Sequence, residues 1–222
     1  MLKIKQYKSK NLFSSLIDAR IYLGASNKLW DPKITQYLFG IRNGFCIFQL
    51  EKTLACLRKA TTIISKINFS KNKILFIGFP ESEKRFLVPL FLSTDHFYTY
   101  GQFWFNGTLT NGKHLNICIN AFKEIIKLKK RSDQMLFFKK FGGIYFLKKT
   151  PDLIVIYNHS EGFEALKEAF KMGIPVISFV NSGSNPEESD YPIPGNFTSK
   201  TAGKFYKKIV RTFLNKKQNE FK

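Results

Sequence analysis

Three features of the 222-residue sequence predict an α/β fold in which a parallel sheet is layered by helices. Lys73 to Gly78 (KILFIG) is a short apolar run rich in β-formers, and PDLIVIYN and IPVISFV later read as strands. The first suits a strand that is covered on both faces. Between the last two lies EGFEALKEAFKM, with apolar residues at helical spacing. Strand, helix, strand in that rhythm is a βαβ unit, which makes its two strands parallel.

Residues 1 to 10 carry four lysines and few apolar anchors, which reads as a flexible basic arm. Leu12, Leu16, Ala19 and Leu23 then recur near helical spacing, so a first helix is expected from Asn11 to Leu23, stopped by Gly24. In the loop ASNKLWDPK, Pro32 restricts Asp31 to extended geometry. The stretch LFGIRNGFCIF follows. Asn43-Gly44 between two apolar runs is a hairpin signal, because a type I′ turn needs positive φ at both central residues. A helix is expected from Glu51 to about Ile67, another over Glu81 to Leu92, and a strand at HFYTY. Near the end, Ser160 is the expected N-cap of a helix whose Phe163, Leu166 and Phe170 share one face, and Gly173 stops it.

A chain of this length can bury roughly 70% of its unfolded surface, so a real core is expected. No run approaches the roughly 18 apolar residues of a membrane span. The charge is the stronger clue: 36 Lys and Arg against 16 Asp and Glu leave a formal +20. An excess that repels itself so strongly points to a polyanionic partner, nucleic acid ahead of an anionic membrane surface. It is also segregated. Residues 121 to 150 hold nine basic side chains against two acidic, and residues 198 to 222 hold eight against one. Residues 151 to 190 reverse this with seven acidic against two basic.

Thirty of the basic residues are Lys and six are Arg, and Phe reaches 24, a bias that follows AT-rich codons and suggests an organellar genome. Cys46, Cys56 and Cys118 form neither a C-x-x-C pair nor a disulfide framework, which fits a reducing compartment. The start, MLKIKQYKSKNLF, has no apolar secretory core and no Arg-rich transit helix. The protein is therefore expected to stay where it is made, or to have lost a presequence.

Residues suited to catalysis do not assemble along the chain. KILFIGFPESEK has one Gly where dinucleotide binding wants G-x-G-x-x-G, and nothing matches a P-loop lysine. His96, His114 and His159 have no partners at metal or triad spacing. Glu187, Glu188 and Asp190 lack EF-hand spacing and read as a solvated loop. No catalytic residue, metal or cofactor is expected. GQFWFNGTLTNGKHLN, by contrast, mixes aromatic with amide, hydroxyl and basic side chains suited to phosphate contacts and to stacking on RNA, although its aromatic residues equally suit a core.

Read in order, WDPKITQYLFGIRNG with QLEKT, KILFIG, WFNGTLTN, FGGI, PDLIVI, ALKEAFKMGIPVISFV and DYPIPGN resemble the universal small-subunit ribosomal protein two family in its bacterial and organellar form. The resemblance spans about residues 12 to 210. It implies a Rossmann-like, flavodoxin-type α/β domain over 11–215, with a helical hairpin protruding at about 112–141 and a basic tail at 216–222. It also implies a structural protein that binds small-subunit rRNA near the junction of head and body, beside other ribosomal proteins, with no small-molecule substrate and no membrane.

Departures from the family pattern fall at Tyr22 and Ala25, where it has a His-x-x-His pair, and at Phe103, Asn106 and Phe163. The segment between Asn111 and Phe141 is shorter than the family's hairpin. Divergence, shortening and AT-biased composition together favour a mitochondrial ribosome in the matrix. The candidate RNA contacts are Lys3, Lys5, Lys8 and Lys10 in the arm, and Lys28, Lys33, Arg42 and Asn43 around the hairpin. Trp104, Asn106, Thr110, Asn111 and Lys113 follow in the aromatic loop, and Lys204, Lys207 and Lys208 near the end. A Rossmann-type nucleotide-using or RNA-acting enzyme, and a free-standing RNA-binding or membrane-surface module, remain as alternatives.

Overall fold

The computed structural model describes residues 12–69, 72–79, 81–94, 96–100, 104–127, 143–144, 147, 149–197 and 199–214. The basic arm, the tail from 215 and residues 128–142 of the expected hairpin lie outside the described residues.

Five parallel strands form the main sheet: β4 (Ile74–Phe79), β5 (Phe97–Tyr100), β6 (Leu153–Ile156), β7 (Val176–Val180) and β8 (Tyr191–Pro194). Their spatial order is β5-β4-β6-β7-β8, the flavodoxin arrangement in which the first strand of the sheet lies inside the second. The apolar runs are explained by what covers them. Ile74, Phe76, Leu153, Val155, Ile177 and Phe179 enter one core cluster, whereas Leu75, Ile77, Ile154, Ile156 and Val176 enter a second on the opposite face. Side chains alternate along a strand, so a strand buried on both faces needs apolar residues at nearly every position.

The first face is covered by α1 (residues 12–18), α2 (Leu50–Phe69), α3 (Lys84–Ser93) and α6 (Lys200–Leu214). The second is covered by α4 (Gly112–Lys127) and α5 (Phe163–Met172). Helix α6 buries Ala202, Phe205, Tyr206, Ile209, Val210 and Phe213, a helical period that a reading of its lysines as a charge run overlooks.

A second, antiparallel sheet has the order β1-β3-β2, from β1 (Leu23–Ser26), β2 (Leu38–Arg42) and β3 (Phe45–Phe48). Here the expected first helix is corrected. It stops at residue 18, Arg20 turns the chain at φ 55°, and Leu23–Ser26 becomes a strand paired with β3. Pairing of Leu23 with Ile47 overrides a weak local helical preference.

Two further expectations are corrected around α5. Its N-cap is Gly162, and the Ser160 hydroxyl instead lies 3.1 Å from that of Ser184. Of the three residues expected on its core face, Leu166 is buried, while Phe163 is 37% and Phe170 85% exposed. The buried set is Ala165, Leu166, Glu168 and Ala169, so the inward stripe is rotated toward a carboxylate. The segment expected to be a solvated acidic loop is also partly packed. Ser184 and Ser189 are buried, and the Val176 amide donates to Asp190 Oδ2 at 2.8 Å.

The small sheet is tied to the edge of the large one by polar contacts. The Ala25 amide donates to Ser182 Oγ at 2.8 Å, Asp31 N to Ser182 O at 2.8 Å, and Asn196 Nδ2 to Leu23 O at 2.7 Å. Ile34, Phe48 and Val180 close an apolar cluster under the join. The hairpin is therefore presented from a fixed base.

Candidate nucleic-acid interface

At the hairpin tip, Asn43 and Gly44 have φ of 51° and 77°, and Arg42 faces Phe45 across the turn. Positive φ at both central residues makes this the expected type I′ turn, and Gly44 adopts its angle without steric cost. The Asn27 amide donates to Gly44 O at 2.9 Å, which draws the start of the 27–29 turn against the tip. Lys28, Arg42 and Asn43, separated by up to 15 positions in sequence, thus end in one exposed region.

Lys33 is close in sequence but is directed elsewhere. Its Nζ lies 2.5 Å from Glu187 Oε2, and this hydrogen bond and charge hold its pKa above the usual lysine value. The backbone amide of Lys33 is held by Asp31 Oδ1 at 2.8 Å, with Asp31 in the extended geometry that Pro32 requires. A phosphate at Lys33 would therefore compete with a carboxylate already in place.

The aromatic loop is organised around Glu168 on α5, which is 8% exposed. Glu168 Oε1 accepts from Trp104 Nε1 at 2.9 Å and from Gly107 N at 2.7 Å. Its Oε2 accepts from Leu109 N at 2.9 Å and Thr110 N at 3.3 Å, with Thr110 Oγ1 at 3.5 Å. One of the expected contacts, Trp104, thus spends its indole N–H on a buried carboxylate while its ring packs on the α4/α5 core cluster; Thr110 stays exposed and is tied to Glu168 chiefly through its amide. Asn106 and Asn111 in this loop, and Lys113 in the first turn of α4, are exposed. Thr108 also caps the turn, its amide donating to Phe105 O at 3.1 Å. Sequence reasoning did not single out Glu168. Its signal is an acidic residue on the apolar stripe of a helix, which requires donors from elsewhere in the fold.

Gly143 shows why the FGGI stretch needs a glycine. Its carbonyl accepts from Tyr98 N at 3.2 Å, and a Cβ at this position would collide with the Tyr98 carbonyl oxygen. The close approach docks the segment after α4 against β5. Phe103, Cys118 and Lys3, Lys5, Lys8 and Lys10 lie outside the described residues or side chains.

Along α6, Lys200, Lys204, Lys208 and Arg211 are spaced i, i+4, i+8 and i+11, and all four are exposed. They form a stripe opposite the buried face. Lys207 points off this stripe. Its Nζ lies 3.0 Å from Glu83 Oε2 and 5.1 Å from the centre of the Phe86 ring. Arg211, and Arg58 and Lys59 exposed on α2, are cations that sequence reasoning did not single out. Once the helices are known, their spacing from the buried residues finds them.

At the carboxyl end of β6, part of the edge where a doubly wound enzyme would hold a nucleotide, the described residues pack on one another. Tyr157, just after β6, is buried and donates its hydroxyl to Phe197 O. Its ring meets that of Tyr206 edge-on at 4.3 Å, and burial pushes both phenols well above their ordinary pKa. Glu83 beside them is 9% exposed and engaged by Lys207. His159 is 3% exposed, with Nε2 3.3 Å from Glu188 Oε2 but not aligned for a hydrogen bond. Burial lowers its pKa, and Glu188 opposes that shift. Among the described residues, no group of three or more His, Cys, Asp or Glu side chains is arranged to hold a metal ion.

The family model described as "Ribosomal protein S2" matches residues 16–215. The chain belongs to the ribosomal protein S2 family. Similar proteins, each named "Small ribosomal subunit protein uS2", come from Shewanella piezotolerans (30% identical), Vibrio cholerae (29%) and Buchnera aphidicola (30%). Each alignment covers 92% of this chain and 90% of the relative. The S2 match extends across the small sheet, the aromatic loop and all but the end of the basic C-terminal segment, so these belong to the family's own domain. Helices long and apolar enough to cross a membrane are absent among the described residues.

Proposed function

We propose that this S2-family chain is a structural constituent of the small ribosomal subunit that binds rRNA near the head and body junction, in a mitochondrial ribosome. The single observation that carries the RNA reading is the separation of charge. Free cations gather on the hairpin tip and along α6, while acidic side chains concentrate in residues 151–190. Phosphate contacts fall to Arg42, Lys28, Lys113, Lys204 and Lys208, with Arg211 added, and to the arm and tail. Arg42 suits bidentate contact with phosphate because the tight turn limits the freedom of its backbone. Asn43, Asn106 and Asn111 supply amides for sugar or base edges, and Trp104 and Thr110 shape the loop that carries them.

The family is non-enzymatic, and the packing at the carboxyl end of β6 agrees with a scaffold. The mitochondrial setting is supported by the lysine and phenylalanine bias and by the short segment between α4 and Gly143. One observation favours a second setting, an AT-rich bacterium: the similar proteins include one from Buchnera aphidicola.

The test is sedimentation of an organellar lysate through a gradient at moderate and at high salt. Co-migration with the small subunit, loosened by salt, is the expected result, since each neutralised phosphate releases counterion. A free pool under every condition overturns the reading. A tagged copy that localises outside mitochondria overturns the organellar part alone.

A further inference from the structure

The most acidic part of the sequence is also where, among the described residues, the most exposed phenylalanine stands. A cleft of about 350 Å³ opens between the C-terminal end of α5 and the turn at Pro186–Glu188. One wall is apolar, from Leu166, Phe170 and Pro175, and the other carries Glu187, Glu188 and Asp190. Phe170 is 85% exposed, and Met172 and Phe163 on the same helix are 42% and 37% exposed. An aromatic side chain left this open on a helix whose other face is core calls for a covering partner.

We propose that this cleft docks a lysine- or arginine-bearing segment of a neighbouring small-subunit protein, with an apolar side chain seated on Phe170. This inference rests on the ribosomal reading given above. Charge decides the class of partner. Three carboxylates line one wall, and the carbonyl end of α5 adds partial negative charge at the floor. A phosphate backbone is repelled here, whereas RNA is drawn to the cationic hairpin and α6. A second copy of this chain would bring another acidic cleft or a surface already committed to RNA. The wall also shows its preference within the molecule, because Glu187 already holds the Lys33 ammonium at 2.5 Å. Apolar and acidic walls facing each other suit a segment that alternates an aliphatic or aromatic anchor with cations.

The test uses the full chain with the photo-crosslinker p-benzoylphenylalanine in place of Phe170, reconstituted into small subunits and irradiated. Because Phe170 is exposed, the replacement leaves folding intact. The expected product is one dominant adduct with a Lys/Arg-rich segment of a single subunit protein. Adding Glu187→Lys, which reverses one charge on the acidic wall and repels the Lys33 that Glu187 now holds, should lower its yield by about tenfold. In a parallel Phe170→Ser subunit, which removes the apolar seat and leaves the charge unchanged, the same protein should wash off at lower salt while the chain stays bound. An adduct with rRNA, an adduct with a second copy of this chain, or no adduct in subunits that contain the chain overturns the proposal alone. A chain that never enters subunits overturns the ribosomal reading and this inference with it.

Discussion

Replacing Glu168 by Gln tests whether one buried carboxylate organises the aromatic loop. The two oxygens divide the work: Oε1 takes Trp104 Nε1 and Gly107 N, and Oε2 takes Leu109 N and Thr110 N. A glutamine keeps one acceptor oxygen and turns the other into an amide that can only donate. In either orientation, two N–H groups then face a donor. Net hydrogen bonds to a charged acceptor contribute about 1.5–3 kcal/mol each, and stranded donors cost a similar amount. Two such losses come to about 3–4 kcal/mol after some relaxation toward water, a large share of the roughly 5–15 kcal/mol that holds a domain folded.

The assay is urea unfolding of the full chain, paired with amide hydrogen exchange at Gly107, Leu109 and Thr110. Exchange should accelerate at Gly107 or at the Leu109 and Thr110 pair, according to which oxygen is lost, with little change in the strands. A variant within about 0.5 kcal/mol of the parent, with unchanged exchange in the loop, would refute the reasoning.

Removing Lys204, Lys208 and Arg211 together should lower the slope of log affinity for rRNA against log salt by about 0.7–0.9 per true phosphate contact. An unchanged slope would assign the stripe to another role. Arg42→Lys keeps the charge but loses the fork, so binding should weaken by about tenfold with little change in salt slope; fluorescence titration on an rRNA fragment measures both. His159 is buried with a lowered pKa, so the unfolded chain takes up its proton first as pH falls below 6.5. Its contribution to stability is therefore complete above that pH and is lost as pH falls through the lower folded value. In His159→Asn, the fall in the urea midpoint between about pH 7 and pH 5 should be shallower than in the parent. Gly143→Ala forces a Cβ into the Tyr98 carbonyl and should cost at least about 2 kcal/mol, read as a shift in Tm.

The sheet was legible because a strand buried on both faces is apolar at nearly every position, as in KILFIG, PDLIVI and IPVISFV; the buried Ser178 in the last is satisfied by donating its hydroxyl to Ser189 Oγ. The Asn43-Gly44 turn was legible for an equally local reason, since φ at two adjacent residues depends on those residues. Strand β1 escaped notice because Leu23–Ser26 has no strand pattern of its own and is held by β3 and by Ser182. Helix α6 was hidden by counting its lysines as charge before asking where its phenylalanines fall. The candidate contacts divided in the same way. Counting charge picked out Lys204, Lys207 and Lys208 alike, but nothing in the sequence says that Lys33 reaches Glu187 or that Lys207 reaches Glu83, because both partners are distant along the chain.

The sequence alone determined the α/β class, the polyanionic partner and the family, since these rest on periodicity, net charge and ordered motifs. Tertiary structure decided which cations are held by carboxylates and which are left exposed, why the Trp104 indole turns inward, and that Phe170 stands over an acidic cleft. Those outcomes depend on desolvation and on donor and acceptor geometry between distant segments, which no local pattern encodes.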